Sequence, residues 1–411
     1  MKKVTVIGAG IVGIATASYL RRDGHDVTVV TQHPPGEYCS FGNAGMLNNG
    51  GCLPQCMPGV LWKVPGYLTD PLGPLVVRGS YFLKALPWMT RFIANSTRRQ
   101  AEHASKALYS LIRDTVPTYE DLVLRAHCSD LVRRSGYLVA YESEKSYSDD
   151  ALAWKMRRER GVNFGELDGA GVHALVPQLG PAYVRGVHVK DQGYVTNPER
   201  LVKSLAAQFQ KEGGTILQRK VLGVEAVNGG ARALVTNTGR MPVETLVVCA
   251  GVHSGEISGL LGEPVPIEAE RGYHVTYSDP TLKLPMPVHV SDAKVFVTPM
   301  EMGLRVAGQA EFSGIYADPN YQRAEVLETH MKRMFPSVRA VDSTRWMGRR
   351  PSMPDSLPVI GASVKNRNVF YAFGHGHLGL CAGAPTGRLV ADLVSGRRPA
   401  IDLSPFRIGR F

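Results

Sequence analysis

Arg350 offers the most specific chemistry in this chain. It sits in Trp346-Met347-Gly348-Arg349-Arg350-Pro351, shortly before Gly374-His375-Gly376-His377-Leu378-Gly379. A guanidinium presents a planar donor fork that can clamp a carboxylate bidentately. The neighbouring glycines let backbone N–H groups approach a cofactor or oxyanion, and the imidazoles can orient a substrate. Blander readings exist for each: an arginine before proline can be a surface residue, and His375 can simply satisfy the backbone of its turn. His377 is the histidine expected to face substrate. At the other end of the chain stands Val4-Thr5-Val6-Ile7-Gly8-Ala9-Gly10-Ile11-Val12-Gly13. If both regions line one cleft, the protein is a cofactor enzyme for a small anionic substrate.

The elements that must position these residues can be read from periodicity. Residues 3–7 form an apolar strand, residues 14–23 are helical, and residues 27–30 form a second apolar strand. In this strand–turn–helix–strand context Gly8 permits the turn. Gly10 clears room for a pyrophosphate at the helix N-terminus, and Gly13 lets helix pack on strand. An adenine dinucleotide is the expected ligand. The acid that usually ends the second strand is missing: Thr31 and Gln32 stand there and would contact the ribose neutrally. NADP is the formal alternative, but no arginine follows the strand. The small polar run Ser40-Phe41-Gly42-Asn43-Ala44-Gly45-Met46 suits either a loop over the cofactor or an ordinary turn.

Farther along, residues 101–124 have one apolar helical face, residues 136–141 alternate as a strand, and residues 148–160 return to helix. Asn197 caps a helix opened by Pro198. Asn228-Gly229-Gly230 turns a hairpin between strands 222–227 and 232–236. The strand at 245–249 ends in Ala250-Gly251, which fits a cofactor cleft or tight packing. Residues 271–277, 294–299 and 304–307 alternate as strands of a second, sheet-based domain, and residues 321–335 are helical. Strand 369–373, the glycine turn and helix 384–394 repeat the strand–turn–helix pattern.

Composition narrows the class. The 411 residues allow more than one domain. The formal charge is +11, yet there is no dense Lys/Arg block or zinc-finger spacing, so nucleic acid is not an expected partner. Attraction of an acidic substrate or an anionic bilayer stays open. The six cysteines lack CxxC spacing, which fits free thiols in a reducing compartment. There is no metal-ligand signature and no GxSxG elbow. No apolar run is long enough to span a bilayer. The segment 53–92, rich in Leu, Pro, Trp and Tyr, reads as a lid, an inter-domain contact or a lipid-facing surface.

Over essentially its full length the chain resembles the D-amino-acid oxidase superfamily of FAD-dependent oxidoreductases, nearest the bacterial D-amino-acid dehydrogenases. The resemblance rests on Gly8 to Gly13, Asn43-Ala44-Gly45, Val247-Val248-Cys249-Ala250-Gly251-Val252-His253-Ser254, Arg271-Gly272-Tyr273 and the two carboxy-terminal motifs. Asp355, Pro358, Ile360 and Gly361 add the PDxxPxIG pattern. It implies an α/β FAD-binding Rossmann-like domain of glutathione-reductase-like fold, with a discontinuous antiparallel-sheet substrate domain. The FAD domain would take residues 1–50, 146–259 and 336–411, and the substrate domain residues 51–145 and 260–335.

The same resemblance implies a set of cofactor-binding residues. These are Gly8, Gly10, Ile11, Val12 and Gly13; Thr31 and Gln32; Ser40, Asn43, Ala44, Gly45 and Met46; Val221; Ala250 and Gly251; Gly348; and Gly374, His375, Gly376, His377, Leu378 and Gly379. Arg350 would bind the substrate carboxylate, with Tyr273 and His377 orienting the amine. No cysteine lies in residues 346–351, so FAD would be non-covalent. The implied reaction is dehydrogenation of a D-amino or D-imino acid, including proline-like or hydroxyproline-like ones. Hydride would pass from the α carbon to flavin N5 and electrons to a quinone or other acceptor. The alternative is an oxygen-using oxidase of glycine, sarcosine or another N-substituted amino acid; a non-enzymatic flavin-bound subunit ranks below both. The expected location is cytoplasmic, with peripheral contact at the inner face of the membrane left open, as is the oligomeric state.

Overall fold

Strands that are apolar on both faces need cover on both sides, and here they form the centre of a parallel sheet. The computed structural model describes residues 1–411. Its six-stranded sheet runs in the order Thr215–Gln218, Asp26–Thr31, Lys3–Ile7, Thr245–Val248, Val369–Phe373, Val359–Ala362. The first five strands are parallel and the last pairs antiparallel. The two ends of the chain meet in this sheet. Helix Ile11–Arg22 also packs on helix Gly379–Val394 so closely that a Cβ on Gly387 would stand 2.8 Å from the backbone of Ala15.

A nine-stranded mixed sheet forms the second layer. Its order is Asp342–Ser352, Glu268–Ser278, Gly303–Phe312, Val295–Met300, Val288–Val290, Tyr137–Tyr141, Arg185–Val189, Phe164–Asp168, with Leu75–Val77 beside Gly303–Phe312. Membership of the two sheets divides the chain differently from the expected boundaries. Strands Phe164–Asp168, Arg185–Val189 and Asp342–Ser352 belong to the second sheet, whereas the expected boundaries place residues 146–259 and 336–411 in the FAD domain. Conversely, Leu108, Leu111, Val116 and Tyr119 join the core of the dinucleotide fold beside Ile11 and Ile14, whereas the expected boundaries place residues 51–145 in the substrate domain. Alternation marks a strand but says nothing about which sheet it will join.

Local signals hold up in detail. Asn197 Oδ1 accepts from the backbone N–H of Arg200 at 3.0 Å. Asn228 and Gly229 both take positive φ in the hairpin turn. Two expected helices are each broken in two. Residues 101–124 become Arg98–Ile112 and Thr115–Arg125, and residues 148–160 become Glu144–Asp149 and Ala151–Glu159. The second break falls at Asp150, whose carboxylate accepts from Ser291 Oγ at 2.7 Å and Tyr141 Oη at 3.2 Å.

Candidate active site

The amino-terminal cradle is built by backbone. Gly8 has φ +107°, and a Cβ there would collide with the carbonyl oxygen of Cys249 at the end of the neighbouring strand. Only glycine fits both constraints. Gly13 and Gly45 lie off the cavity wall and serve packing: a Cβ on Gly13 would collide with the Gly8 carbonyl, and one on Gly45 would lie 2.6 Å from the Val195 carbonyl. Gly10 faces open space limited only by Ser40 Oγ. That hydroxyl accepts from the Ile11 N–H at 3.0 Å, which ties the Ser40–Met46 loop to the helix N-terminus.

The second sheet holds the same loop from above. Arg305 is 2% exposed and donates to the carbonyls of Phe41 at 2.9 Å and Asn43 at 2.8 Å. Thr298 donates to Ala44 O at 2.9 Å, and His274 Nδ1 donates to Gly42 O at 3.1 Å. The loop is therefore a clamped wall of the cavity rather than an ordinary turn. Arg305, Thr298 and His274 escaped sequence reading because their partners are remote carbonyls.

One cavity of about 1360 Å³ runs through the molecule. That exceeds the roughly 1,000 Å³ upper end of ordinary small-ligand sites and suits a dinucleotide plus a substrate. Apart from Gly13 and Gly45, every residue expected to touch cofactor or substrate lines it, including Ile11, Val12, Met46, Val221, Ala250, Gly251, Gly348 and the run Gly374–Gly379. At the ribose position the two polar candidates separate. Thr31 uses its hydroxyl to donate to His33 O at 2.8 Å, whereas Gln32 is exposed on the cavity wall without a protein partner. The turn histidines also separate. His375 is buried, with Nε2 3.0 Å from Thr386 Oγ1, and burial pulls it down to about 3. His377 opens onto the cavity.

Arg350 is positioned by strand register. Asp342–Ser352 pairs with Glu268–Ser278 so that Arg350 opposes Glu270 and Gly348 opposes Gly272. Directly opposed residues share a face of the sheet. The guanidinium lies across Gly272, where any Cβ would collide with Nη2. Nη1 donates to Glu270 Oε1 at 2.8 Å and to Gln309 O at 2.9 Å, and Nη2 donates to Gly308 O at 3.3 Å. Nε–H and one Nη2–H have no protein partner. Those two nitrogens define one edge of the guanidinium plane, the shape that accepts a carboxylate side-on.

Glu270 is the anchor that sequence reading missed. It is buried, and its second oxygen accepts from Ser352 Oγ at 2.8 Å and Gln55 Nε2 at 3.0 Å. Burial raises its pKa, but Arg350, His377 and these hydrogen bonds outweigh burial and hold it below the ordinary carboxylate value. Burial likewise lowers His377, opposed by Glu270 and reinforced by Arg350, so its imidazole is neutral at pH 7. Beside them lies Gln309, 4% exposed, at φ +63°, with neither side-chain amide atom hydrogen-bonded. A buried amide on a cavity wall without protein partners can hydrogen-bond a polar group of a ligand.

Tyr273 is not part of this group. Alternation along the strand turns it to the opposite face, into the core with Met347. Its hydroxyl donates to Glu311 and accepts from the Asn320 N–H at 3.0 Å. The Arg271-Gly272-Tyr273 motif suggested proximity, and the pleat supplies Gly272 instead.

Comparison with known proteins adds the family. Residues 3–393 match the model described as DAO, FAD dependent oxidoreductase. The chain is 40% identical to a D-amino-acid oxidase of Bradyrhizobium diazoefficiens over 100% of this chain and 99% of the relative. It is 31% identical to a D-amino acid dehydrogenase of Rhizobium johnstonii, covering 100% of both. Its fold resembles glycine oxidase from Geobacillus kaustophilus, with a TM-score of 0.78, 20% identity and 100% coverage of both chains. It also resembles L-proline dehydrogenase from P. horikoshii, with a TM-score of 0.77, 17% identity and coverage of 100% and 97%.

Proposed function

Because the chain belongs to the DAO family of FAD dependent oxidoreductases, we propose that it oxidises the C–N bond of D-amino or D-imino acids whose carboxylate docks on Arg350. The observation that carries this reading is the unpartnered Nε/Nη2 edge of Arg350, fixed by Glu270 in the same cavity as the glycine cradle.

The chain fits FAD. Gly8 and Gly10 leave the pyrophosphate path clear, the helix from Ile11 offers its N-terminus, and Gln32 suits the ribose. Ser40, Asn43, Ala44 and Met46 wall the cavity from one side, and Ala250, Gly251 and Gly374 to Gly379 from the other. No cysteine stands in residues 346–351, and burial pushes up the thiols of Cys39, Cys249 and Cys381 that line the cavity, which supports a cofactor held non-covalently. Bound FAD supplies the two-electron acceptor that no side chain here provides.

The protein's own part is positioning and charge control. Arg350 receives the substrate carboxylate along its free edge, and Glu270 prevents the guanidinium from swinging. His377, held neutral, donates its ring N–H to the lone pair of the substrate amine and so favours the unprotonated form. The Gln309 amide lies within the same wall to receive a polar group. Tyr273 keeps a structural role, holding Glu311 and Asn320.

Electrons are proposed to leave to a quinone or other acceptor. Helices Val60–Thr69 and Phe82–Ala94 border the cavity and expose Trp62 (90%) and Leu83 (78%), a surface that suits an apolar acceptor or peripheral membrane contact. No helix is long and apolar enough to cross a membrane. The second reading, an oxygen-using oxidase, is supported by the name of the 40%-identical relative. Anaerobic mixing of the flavoprotein with paired D- and L-amino acids tests the first claim: D-isomers bleach the flavin. Dye reduction against peroxide release then separates the acceptors. Bleaching by L-isomers alone would overturn the reading.

A further inference from the structure

Strand Gly303–Phe312 changes neighbour partway along. Residues 303–307 pair with Val295–Met300, and residues 310–312 pair with Leu75–Val77. Gly308 and Gln309 fall between the two pairings. On the other edge the register slips at the same place. Arg271 opposes Glu311 while Tyr273 opposes Gly308, so Gly303–Phe312 carries one residue more than its partner. This is a β-bulge, a feature that re-aims a side chain and recurs beside active sites.

The neighbours fix which way Gln309 points. A Cβ on Gly308 would stand 3.2 Å from Leu327 Cδ2, in the core behind the sheet. Glu311 also points there, to the Tyr273 hydroxyl. Gln309 faces the other way, with Ala307 and Phe312, and all three line the cavity. Arg350 marks the same face, since its Nη1 donates to the Gln309 carbonyl at 2.9 Å.

Gln309 carries two burdens that a merely structural residue would not. Its φ of +63° is one that glycine adopts freely and a side chain with a Cβ does not. Both amide atoms are buried without a protein partner, which disfavours folding. Glycine at 309 would relieve both. The wall beside the amide is apolar: Phe296, Ala307, Ala310 and Phe312. A neutral amide in such a wall, with Nε2–H to donate and Oε1 to accept, complements a neutral group that does both.

We infer that Gln309 sets side-chain specificity: its amide selects D-amino acids whose side chain carries a carboxamide or hydroxyl over their apolar isosteres. This rests on the reading of Arg350 and His377 as anchors of the α-carboxylate and amine, which leaves the side chain as the substituent without a polar partner.

The test uses the holoenzyme and near-isosteric pairs, D-asparagine with D-leucine and D-threonine with D-valine. In Gln309→Met the polar-to-apolar ratio of kcat/KM should fall about tenfold in at least one pair. Gln309→Gly relaxes the backbone while removing the amide. It should lower the ratio in the same direction, and it guards against misfolding of the first variant. Calorimetry with the deaminated acids gives a readout without turnover: succinamate against 4-methylpentanoate, and 3-hydroxybutanoate against 3-methylbutanoate. Their affinity ratios should fall in the same variants. Ratios unchanged in every pair would overturn the inference, as would loss of flavin from both variants with the ratios intact, which would assign the amide to the cofactor. A flavin reduced by no D-amino acid would fail the activity reading alone, since the acids still decide the role of Gln309.

Discussion

The glycine cradle and the arginine cluster share one cavity but are built by opposite means. The cradle is backbone: Gly8 and Gly374 are shaped by what a Cβ would strike, and Gly376 by its positive φ. The cluster is side chain: strand register sets Glu270 opposite Arg350 on one sheet, Gln309 stands on the next strand, and His377 comes from the turn that follows strand Val369–Phe373. A backbone site shows in sequence as a short glycine pattern, although the carbonyl that bars a side chain at Gly8 comes from Cys249 on the neighbouring strand. A side-chain site is specified only once the long antiparallel strands have paired. The first should fail abruptly on a single added methyl group, and the second should respond in graded steps.

The largest effect is expected at Gly8. Gly8→Ala combines an unfavourable φ with a collision at Cys249 O, and should cost roughly 2 kcal/mol or more of stability. Flavin absorbance and thermal denaturation measure it together; full flavin with an unchanged melting point would break the backbone side of the comparison. Gly272→Ala places the same added carbon under Arg350. It should keep its flavin while KM for carboxylate substrates rises about tenfold or more. Flavin loss with unchanged KM would assign Gly272 to the cradle instead.

Acid stability gives a smaller effect that sharpens the contrast between His375 and His377. Burial holds His274, His289 and His375 at about 3, against an ordinary value of 6.5. Between these values the unfolded chain binds protons that the folded chain refuses. Stability is therefore complete above 6.5 and falls as pH drops toward 3, by at most about 1.4 kcal/mol per pH unit for each histidine. His375→Gln should flatten this slope in a melting-temperature series, and an unchanged slope would show that His375 is not buried neutral. The smallest effect is spectroscopic. Glu270→Gln removes the charge that supports protonation of His377, so NMR should find its imidazole titrating lower than in the unaltered protein. A move upward would place Glu270 outside the cluster.

The same division explains what could be read before the fold was known. The Asn197 cap, the Asn228-Gly229 turn and the positive φ of Gly8 carry their reasons within a few residues, and each appears as expected. Arg350 and His377 were legible as candidates because their motifs are compact. Glu270 was not, since a glutamate in an apolar strand has no local signature until its register sets it opposite Arg350. Tyr273 was misplaced for the complementary reason: neighbours in sequence point to opposite faces of a strand. The domain boundaries slipped wherever a strand could pair into either sheet.

Arg350 is the proposed carboxylate anchor, and a simple deletion would strand Glu270 as a buried charge. The direct measurement is therefore anaerobic flavin reduction in the double variant Arg350→Met with Glu270→Gln, compared with the unaltered holoenzyme. The expected result is a full complement of FAD that D-amino acids reduce only at concentrations at least about tenfold higher. Reduction at unchanged substrate concentration would show that the carboxylate docks elsewhere in the cavity.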